Sequence, residues 1–384
     1  MTRLNKTALF VCLKYSGTVH EIINTSFIVM LLKTYRKVKI YASPEMCLNI
    51  KNQLIELDVY SDDIQFVFMH FTRFKRGMMK TLVDAFRLLI ISIRNIFPLS
   101  DIFFGTVNYS YVPIGNLISK FTKQRQFHLC HDELRFMFIE KPHKGYREWK
   151  SRIYAMTKIK YCHYFKFVVL GDSIKRNLKG KISDSAYKHM CCIIHPYYDI
   201  SKHKSQNVTH NHIKVGIVGE IRTDELFQNT ILFNKILEEY DNIYLHLVSK
   251  NRNYDFSNCS RIISDNPNNR HLLRDEYDML VQDLDYIYFP YTKESYKYGA
   301  SGAVYEAIVK GIPFIAYSND YFKMLNDKFG KIGFLYETEE EMRLLIEKIH
   351  DGKLDYDRKN AENVKQYLDP RNYYIEFQKN LYLI

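Results

Sequence analysis

A short segment in the last quarter of the chain combines residue types that suit a phosphate. Ser301, Gly302 and Ala303 follow a loop and open a predicted helix, Ser301–Lys310. Their backbone amides would form the open N-terminus of this helix, where unpaired N–H groups and the helix dipole favour an anion. Gly302 has no side chain, so a phosphate can approach the backbone closely. The segment therefore predicts a phosphate site.

A carboxylate lies one helical turn beyond these amides. Glu306 could accept hydrogen bonds from two vicinal ribose hydroxyls, so the segment as a whole suits a nucleoside diphosphate. The alternative is purely structural: Ser301 caps the helix, Glu306 is a solvated surface position and Gly311 ends the helix. Taken alone, these residues leave both interpretations open.

Alternating strands and helices must position this site. Short β-branched or aromatic runs alternate with helical patterns in the first half, and the alternation restarts after a polar, His- and Lys-rich segment, residues 201–212. At 384 residues, the chain is also longer than one hydrophobic core usually supports. We predict an α/β protein with a first domain of residues 1–200, a linker of 201–212 and a second domain of 213–368.

The predicted strands of the first domain are Thr7–Leu13, Lys37–Tyr41, Ile64–Met69, Asp101–Gly105, Gln126–Cys130, Phe165–Leu170 and Cys192–His195. Its clearest helices are His20–Leu32 and Met78–Phe97. The second domain has predicted strands at Ile213–Val218, Tyr244–Val248, Ile262–Ile263, Tyr286–Phe289 and Pro313–Ala316. Its predicted helices are Thr230–Glu239, Arg270–Gln282, Ser301–Lys310 and Glu339–His350.

The charge is unevenly distributed along the chain. Residues 1–200 contain 31 Lys and Arg against 15 Asp and Glu, whereas residues 201–384 contain 24 against 28. A basic first half indicates an anionic partner, either nucleic acid or an anionic membrane surface. No helix-turn-helix, RNP-like or finger pattern occurs, so we do not expect a nucleic-acid partner.

Cysteine usage and hydropathy indicate a cytoplasmic setting. Seven cysteines without CxxC or clustered Cys/His spacing predict reduced thiols and no structural zinc. The apolar run Ala8–Leu13 is too short for the core of a signal peptide. Charged residues interrupt the longest apolar stretch, Leu82–Phe97, so we expect no membrane span.

Residues 73–97 join a basic cluster to a helix with one apolar face. One interpretation is an interfacial helix that holds the protein on an anionic leaflet. The other is an ordinary core helix with a charged rim. The positive charge of the first domain favours peripheral membrane contact.

The ordered string around the predicted phosphate site resembles the nucleotide-binding region of GT-B glycosyltransferases, particularly glycosyltransferase family 4. The residues that carry the resemblance are Pro290, Tyr291, Ser301, Gly302, Glu306, Ala307, Gly311, Pro313 and Ile315. The resemblance implies a GT-B fold, in which two Rossmann-like domains face each other across a cleft. The donor would bind the C-terminal domain and the acceptor the N-terminal one. The last segment, 369–384, would pack back on the first domain as a helix.

The resemblance assigns three further residues to the donor site. Gly219 gives the donor phosphates room, Arg222 binds them through its guanidinium fork, and Tyr291 lines the nucleotide site. The chain departs from the family pattern after Arg222, because Asp224, Glu225 and Leu226 occupy the region where relatives carry a lysine.

A second departure concerns the pair of glutamates that many relatives carry eight positions apart. Tyr298 stands eight residues before Glu306, and Glu294 is the nearest acid. Glu294 could replace the first glutamate only if the loop had a different shape, and family subgroups with the Ser-Gly turn commonly lack that glutamate.

Candidate residues of the first domain follow its strands. His131 comes directly after the predicted strand Gln126–Cys130, and the resemblance places a histidine here near the donor sugar, with Asp132 or Glu133 as a helper or acceptor contact. Gly17 resembles the glycine of the first loop, which gives room to the acceptor or donor. His20 opens a helix, and an ordinary strand-to-helix turn explains it equally well.

Taken together, the resemblance implies a hexosyltransferase with a nucleotide-sugar donor and a saccharide or lipid-linked saccharide acceptor. It implies retention at the anomeric carbon, a role in bacterial surface polysaccharide synthesis, and His131, Arg222 and Glu306 as catalytic residues. No metal or other cofactor is expected, since Arg222 and the helix N-terminus would neutralise the leaving group. A sugar-nucleotide epimerase of the same architecture and a non-catalytic partner subunit remain as alternatives.

Overall fold

The computed structural model describes most of the chain and divides it into two compact units. The described residues are 3–15, 20–70, 78–131, 133–138, 146–198, 212–219, 221, 223–248, 250, 254–270 and 272–383. The first unit comprises Met1–Tyr198, Tyr296–Ala300 and Leu368–Ile384, and the second comprises Asp199–Ser295 and Ser301–Tyr367. Apart from His212, the predicted linker lies outside the described residues.

The described part of the first unit is built on a parallel sheet of seven strands in the order β3-β2-β1-β4-β5-β6-β7. The strands are β1 (Leu4–Val11), β2 (Tyr35–Ala42), β3 (Ile64–Phe68), β4 (Asp101–Phe104), β5 (Gln126–Cys130), β6 (Phe165–Val169) and β7 (Met190–Cys192). β4 and β5 are buried at every position, as expected for central strands that are covered by helices on both faces.

Helices cover both faces of this sheet. They are α1 (Glu21–Thr34), α2 (Pro44–Glu56), α3 (Met78–Arg94), α4 (Val112–Thr122), α5 (Tyr146–Lys158), α6 (Asp172–Leu178) and α7 (Asp184–Lys188), with α14 (Pro370–Asn380) from the end of the chain. Because parallel crossovers are right-handed, α1 and α2 lie on one face and α3 and α4 on the other. The packing agrees: α1 contacts α2 and α14, and α3 contacts α4.

The last strand of this sheet differs from the sequence prediction. The strand predicted at Cys192–His195 is found at Met190–Cys192, paired with β6. It ends early because the Tyr373 hydroxyl accepts the backbone N–H of Ile194 at 2.8 Å, so this amide does not continue the ladder. The other six strands are found within a few residues of their predicted bounds.

The described part of the second unit is a parallel sheet of six strands in the order β10-β9-β8-β11-β12-β13. The strands are β8 (Ile213–Ile217), β9 (Ile243–Leu247), β10 (Ile262–Ser264), β11 (Tyr286–Phe289), β12 (Phe314–Tyr317) and β13 (Gly333–Tyr336). The helices are α8 (Asp224–Leu237), α9 (Arg274–Gln282), α10 (Gly302–Val309), α11 (Asp320–Phe329), α12 (Glu339–His350) and α13 (Arg358–Leu368). One face of the sheet buries a cluster around Phe233, Leu245, Tyr288, Ile315 and Ile346.

Local hydrogen bonds shift two helix starts in the second unit. The helix predicted from Thr230 begins at Asp224, because the Thr223 hydroxyl accepts the backbone N–H of Leu226 and caps it. The helix predicted from Arg270 begins at Arg274.

The edge strand β13 was not predicted, because four residues beginning with glycine give a weak strand signal. Glycine is required at its start, since a Cβ at Gly333 would lie 2.3 Å from the ring of Phe314 on the neighbouring strand. Close packing of two strands therefore explains why β13 begins with Gly333, the residue that weakens its strand signal in the sequence.

The strand order of each sheet reverses once. In the first unit the reversal lies between β1 and β4, and in the second between β8 and β11. Loops that leave neighbouring strands in opposite directions leave a crevice at the carboxyl edge, where open α/β sheets bind ligands. These two crevices are therefore the candidate ligand-binding sites.

One buried side chain in the first sheet has no polar partner. His128 on β5 is fully buried between the rings of Phe104 and Phe165, whose centroids lie 4.3 and 4.4 Å away. Neither imidazole nitrogen has a hydrogen-bond partner among the described residues. Burial lowers the pKa of His128 to about 3, so the ring stays neutral in the folded protein.

We predict that His128→Phe stabilises the protein. An unpaired buried polar group costs about 1–3 kcal/mol, and a phenyl ring removes that penalty while keeping the stack. Below the ordinary histidine pKa the unfolded chain binds a proton that the folded chain excludes, so this residue costs roughly 1.4 kcal/mol of stability for each pH unit of acidification. Urea unfolding at neutral pH and at mildly acidic pH should show a higher and less pH-dependent stability. The exposed His163→Phe is the control, and a destabilised His128→Phe would contradict the account.

Candidate functional site

The crevice of the second unit lies between the loops that follow β8 and β11. Gly219 follows β8, and a Cβ at this position would lie 3.1 Å from the Tyr291 hydroxyl, which follows β11. The ring of Tyr291 stacks on Phe289 at 5.3 Å. The side-chain amide of Asn229 donates to the carbonyl of Pro290 at 3.0 Å and fixes the second loop. Two predicted site residues, Gly219 and Tyr291, are therefore neighbours.

Helix α10 begins beyond the loop after β11, and its start is not capped by a side chain. Ser301 is the N-cap residue in extended conformation, yet its hydroxyl makes no capping hydrogen bond. This hydroxyl is buried and has no partner among the described residues. Ser301 is therefore not the ordinary cap of the structural alternative. The first amides of the helix and the buried hydroxyl can therefore donate hydrogen bonds to a ligand.

Glu306 is buried in the second turn of α10, so the solvated position of the structural alternative is wrong. One carboxylate oxygen accepts a hydrogen bond from Arg274 at 3.0 Å, and the other accepts one from the Tyr277 hydroxyl at 2.9 Å. The Tyr277 hydroxyl also lies 3.5 Å from the carbonyl of Val218, just after β8. Glu306 thus links α10 to α9 and to the end of the first strand.

The carboxylate belongs to a larger ion cluster. Arg274 makes two hydrogen bonds to Asp278, at 2.8 and 3.0 Å, and Lys310 contacts the same carboxylate at 2.8 Å. Burial raises the pKa of Glu306 above its ordinary value, against the opposing effect of Arg274 and Lys310. Since each carboxylate oxygen has two lone-pair directions, each retains one for a ligand hydroxyl.

Sequence inspection missed Arg274, Tyr277 and Asp278 as site residues. Their only signal is the helical spacing of 274, 277 and 278, which is typical of an exposed helix face. The predicted site residues of the second unit that are described, Gly219, Tyr291, Ser301, Gly302, Ala303 and Glu306, lie on the elements that border the β8–β11 crevice.

We predict that Arg274→Met strongly destabilises the second unit. Removing the cation leaves two buried carboxylates, Glu306 and Asp278, short of a partner, which costs about 3–5 kcal/mol for a buried pair. Arg343→Met is the matched control, because Arg343 also pairs one turn away on a helix, with Glu339, and with Glu239, but in exposed pairs that contribute less than about 1 kcal/mol each. Thermal and denaturant unfolding measure both variants. Equal losses in the two variants would show that the cluster is not held as described.

The crevice of the first unit contains His131. Its Nε2 lies 2.8 Å from the carbonyl of Gly105, which follows β4. A carbonyl only accepts, so a neutral ring carries its proton on Nε2 and leaves Nδ1 unprotonated. The Glu133 carboxylate accepts the backbone N–H of His131 at 2.9 Å and pairs with Lys14 at 3.2 Å. The loops after β1, β4 and β5 therefore meet at His131.

Two further histidines accompany His131. The ring of His20 lies 4.4 Å from that of His131, and His20 adopts a left-handed backbone conformation (φ 60°) before α1. Desolvation lowers the pKa of His20 to about 3 and that of His195 to about 4, and it also lowers the pKa of His131. The imidazoles are neutral near pH 7 and can position or accept a proton rather than act as fixed cations. His195 was missed because only its place after the last strand marks it.

Three candidates from the sequence lie outside the described residues. These are Gly17, Asp132 and Arg222. The acids after Arg222 are described, and they form the first turn of α8, where negative side chains favour the helix dipole. A helix start therefore occupies the region where relatives carry a lysine.

Tyr298, which stands at the position of the missing glutamate, has partners in the first unit. Its hydroxyl accepts a hydrogen bond from Lys181 at 2.5 Å, and its ring stacks on Phe138 with centroids 4.1 Å apart. The Asn177 side chain donates to the carbonyl of Lys297 at 3.2 Å. The segment Tyr296–Ala300 is thus held by a buried tyrosine rather than by a carboxylate.

A cavity of about 1030 Å³ in the second unit lies away from this site. Its lining includes Ile213, Tyr286 and Pro313, at the amino ends of β8, β11 and β12. Ligands of open α/β sheets bind at the opposite, carboxyl edge. We therefore assign the site to the crevice that contains Ser301 and Glu306.

No group of three or more His, Cys, Asp or Glu side chains in the described part of the chain could hold a metal ion. None of the described helices has the length and apolar content needed to cross a bilayer.

Comparison with known proteins places the chain by its fold. No protein-family model and no curated protein sequence matches it. Solved structures do match over nearly the whole chain. HepE of Anabaena in complex with UDP has a TM-score of 0.60 at 13% identity, with 99% of this chain and 100% of HepE covered.

Two other structures show the range of activities on this fold. The lipopolysaccharide outer core galactosyltransferase WaaB in its apo form has a TM-score of 0.59 at 11% identity, with 98% of this chain and 99% of WaaB covered. A putative UDP-N-acetylglucosamine 2-epimerase from Listeria monocytogenes has a TM-score of 0.50 at 12% identity, with 98% of this chain and 94% of the epimerase covered. At such identities the likeness establishes the fold, and the predicted α/β GT-B fold is confirmed.

Proposed function

We propose that this protein is a glycosyltransferase that moves a hexose-type sugar from a nucleotide-sugar donor to a saccharide or lipid-linked saccharide acceptor. The observation that carries the proposal is the start of α10, where the buried Ser301 hydroxyl has no partner among the described residues and the N-cap side chain makes no capping hydrogen bond. Few groups other than a phosphate suit several N–H donors and a hydroxyl at a helix N-terminus. The fold shared with a UDP-bound protein agrees with a nucleotide ligand.

The proposed donor site assigns one role to each residue. The diphosphate lies against the amides of Ser301, Gly302 and Ala303, with Gly219 leaving room for it. Glu306 accepts the ribose hydroxyls, and Tyr277 and Arg274 hold its carboxylate in position. Arg222 neutralises the leaving group together with the dipole of α10, so no metal or other cofactor is invoked.

In the proposed reaction, the glycosidic bond to the diphosphate breaks and the acceptor oxygen bonds to the anomeric carbon with retention of configuration. The nucleoside diphosphate leaves with the bonding electron pair, and its departing oxygen takes up the proton that the acceptor hydroxyl loses. His131, which is neutral and held by Gly105, leaves Nδ1 unprotonated, and we assign it the contact with the donor sugar that the family resemblance implies. Glu133 and Lys14 border the same crevice.

We place this activity in bacterial surface polysaccharide synthesis on the cytoplasmic side of the cell membrane. WaaB, which acts on the lipopolysaccharide outer core, shares the fold over nearly its whole length. All seven cysteines are free thiols in the structure, which agrees with a reducing compartment.

Peripheral contact with an anionic leaflet is part of the proposal, and it rests on the surface of α3 and α4. Both helices expose apolar side chains at helical spacing; the exposed residues are Met79, Leu82, Phe86 and Ile93 on α3 and Ile114, Leu117 and Phe121 on α4. The two helices contact each other on one face of the sheet. Their apolar stripes therefore form one membrane-facing surface.

The exposed charges that residues 78–131 contribute to this surface have one sign. Arg94, Lys120 and Lys123 are exposed beside it, and the only acids between residues 78 and 131, Asp84 and Asp101, are buried. A cationic rim around exposed phenylalanines fits an anionic bilayer surface, where basic residues each contribute about 1 kcal/mol.

The donor site is tested by a thermal-shift screen with UDP, GDP, CMP and dTDP sugars. A nucleotide that binds only the folded state raises the melting temperature, by an amount that grows with its concentration over Kd. We expect one nucleotide class to raise the melting temperature. Glu306→Ala and Arg222→Ala should weaken its binding at least roughly tenfold, because each variant loses charged hydrogen bonds. Glu347→Ala, an exposed position of α12, is the control.

This screen, combined with product analysis, separates the alternatives. Donor binding that is unchanged in both variants would remove the donor-site assignment. If the wild-type protein binds the donor, product analysis without acceptor distinguishes epimerisation, which changes the sugar, from slow hydrolysis by a transferase. A protein that binds the donor without any turnover would be a non-catalytic partner subunit.

Membrane contact is tested by vesicle sedimentation. The wild-type protein should bind vesicles that contain phosphatidylglycerol and not vesicles of phosphatidylcholine alone. The double variant Phe86→Ser with Phe121→Ser should lose most of this binding, because each substitution removes about 2 kcal/mol of favourable apolar burial in the bilayer. The control is Leu273→Ser with Leu344→Ser, two leucines equally exposed in the second unit. Equal binding by both double variants would refute a specific role for the α3–α4 surface.

A further inference from the structure

A cavity of about 540 Å³ opens in the first unit at the carboxyl ends of β1 and β4. It lies where the strand order reverses, in the crevice that open α/β sheets use for ligands. Val11, Leu13, Leu88, Phe104 and Val107 form its apolar part, and the rest of its wall is polar or charged. Its chemistry therefore indicates which ligand group it takes.

Two of the three cations in the wall are already paired. Lys14 pairs with Glu133 at 3.2 Å, and Lys80 pairs with Asp84 at 2.5 Å. These ion pairs are neutral overall. They can serve hydroxyl groups of a sugar but present no net charge.

Arg152 is different. Its guanidinium carbon lies over the rings of Tyr109 and Phe136, 5.1 and 5.5 Å from their centroids. Its Nε is buried and has no hydrogen-bond partner among the described residues. Glu148 lies one turn earlier on α5, but it accepts a hydrogen bond from the Thr81 hydroxyl at 3.1 Å, and the described carboxylates form no ion pair with Arg152.

The aromatic contacts determine how this guanidinium can bind. Rings over its plane hold the group by cation–π attraction and leave its hydrogen bonds to the edge. An edge with two parallel N–H groups matches a carboxylate or a phosphate in a bidentate pair. A buried N–H without a partner is costly, and an oxyanion would relieve that penalty.

We propose that Arg152 binds an anionic group of the acceptor, a carboxylate or phosphate carried by the saccharide. The identification of the ligand as the acceptor rests on the proposed function, but the anion site itself rests on Arg152 and the cavity around it. Acceptors without a negative charge would leave the Nε–H unpaired. Arg152 thus selects for an acidic or phosphorylated sugar.

The test compares three small ligands of the full-length protein: glucose, glucuronate and glucose 1-phosphate. Binding is followed by ligand-observed NMR titration. We expect at least one of the two anionic sugars to bind at least roughly tenfold more tightly than glucose, because one bidentate charged pair contributes about that much affinity. The stronger of the two identifies the source of the oxyanion as a uronate or a sugar phosphate.

Variants assign the preference to one side chain. Arg152→Gln should abolish the anionic preference, and Arg152→Lys should retain only part of it, because lysine keeps the charge but not the fork. Arg135→Gln is the matched control, since Arg135 lies over the same Phe136 ring at 4.8 Å but does not line the cavity. Equal affinity for neutral and anionic sugars, no binding of either anionic sugar, or an unchanged preference in folded Arg152→Gln or Arg152→Lys would overturn the proposal.

Nucleotide binding in the same preparations separates this inference from the proposed function. If Arg152→Gln retains the nucleotide thermal shift of the wild type, its loss of anionic-sugar binding is confined to the cavity of the first unit. If the wild type binds anionic sugars through Arg152 but binds no nucleotide, the glycosyltransferase proposal fails and the anion site stands.

Discussion

Parallel strand pairing is the constraint from which both candidate sites follow. Every strand pair in the two described sheets is parallel, so all carboxyl ends of a sheet share one edge. The strand order reverses beside β1 and beside β8, right-handed crossovers then place the helices on opposite faces, and the loops part at these two points. Gly219, Tyr291, Ser301 and Glu306 border one crevice, and His131 borders the other. The position of the chemistry is thus a consequence of the topology.

Burial of charge is the second feature that organises the site. Glu306 and Asp278 are almost fully buried, and their stability depends on Arg274, Lys310 and the Tyr277 hydroxyl. Apolar side chains of similar size would hold α9 against α10 without desolvating any charge. Retaining a buried carboxylate whose pKa is raised is typical of functional sites. In the first unit, the neutral histidines around His131 show the same pattern of polar groups kept in a desolvated place.

Much of the fold could be predicted from the sequence, because apolar runs bounded by polar residues set the strands. β5, β11 and α12 begin and end at the predicted residues. β7 was predicted two residues too late, because a tyrosine hydroxyl ends its ladder, and β13 was not predicted, because a glycine required by Phe314 begins it. Such constraints come from partners that are distant in sequence, at Tyr373 and Phe314.

The site shows the same division. Ser301 and His131 were found because one opens a helix and the other follows a strand, and Glu306 was found because it lies one turn beyond that helix start. Arg274, Tyr277, His195 and Arg152 were missed, since a basic or aromatic residue on a helix or in a loop looks like an ordinary surface position. Their importance comes from burial and from a missing or shared partner, which only three-dimensional packing reveals.

The most direct test of the central claim is a crystal structure with the nucleotide that gives the largest thermal shift. The account predicts density for the diphosphate against the backbone amides of Ser301, Gly302 and Ala303, with the ribose hydroxyls hydrogen-bonded to Glu306. A nucleotide bound elsewhere, for instance in the cavity at the amino ends of β8 and β11, or a ribose out of reach of Glu306, would contradict it.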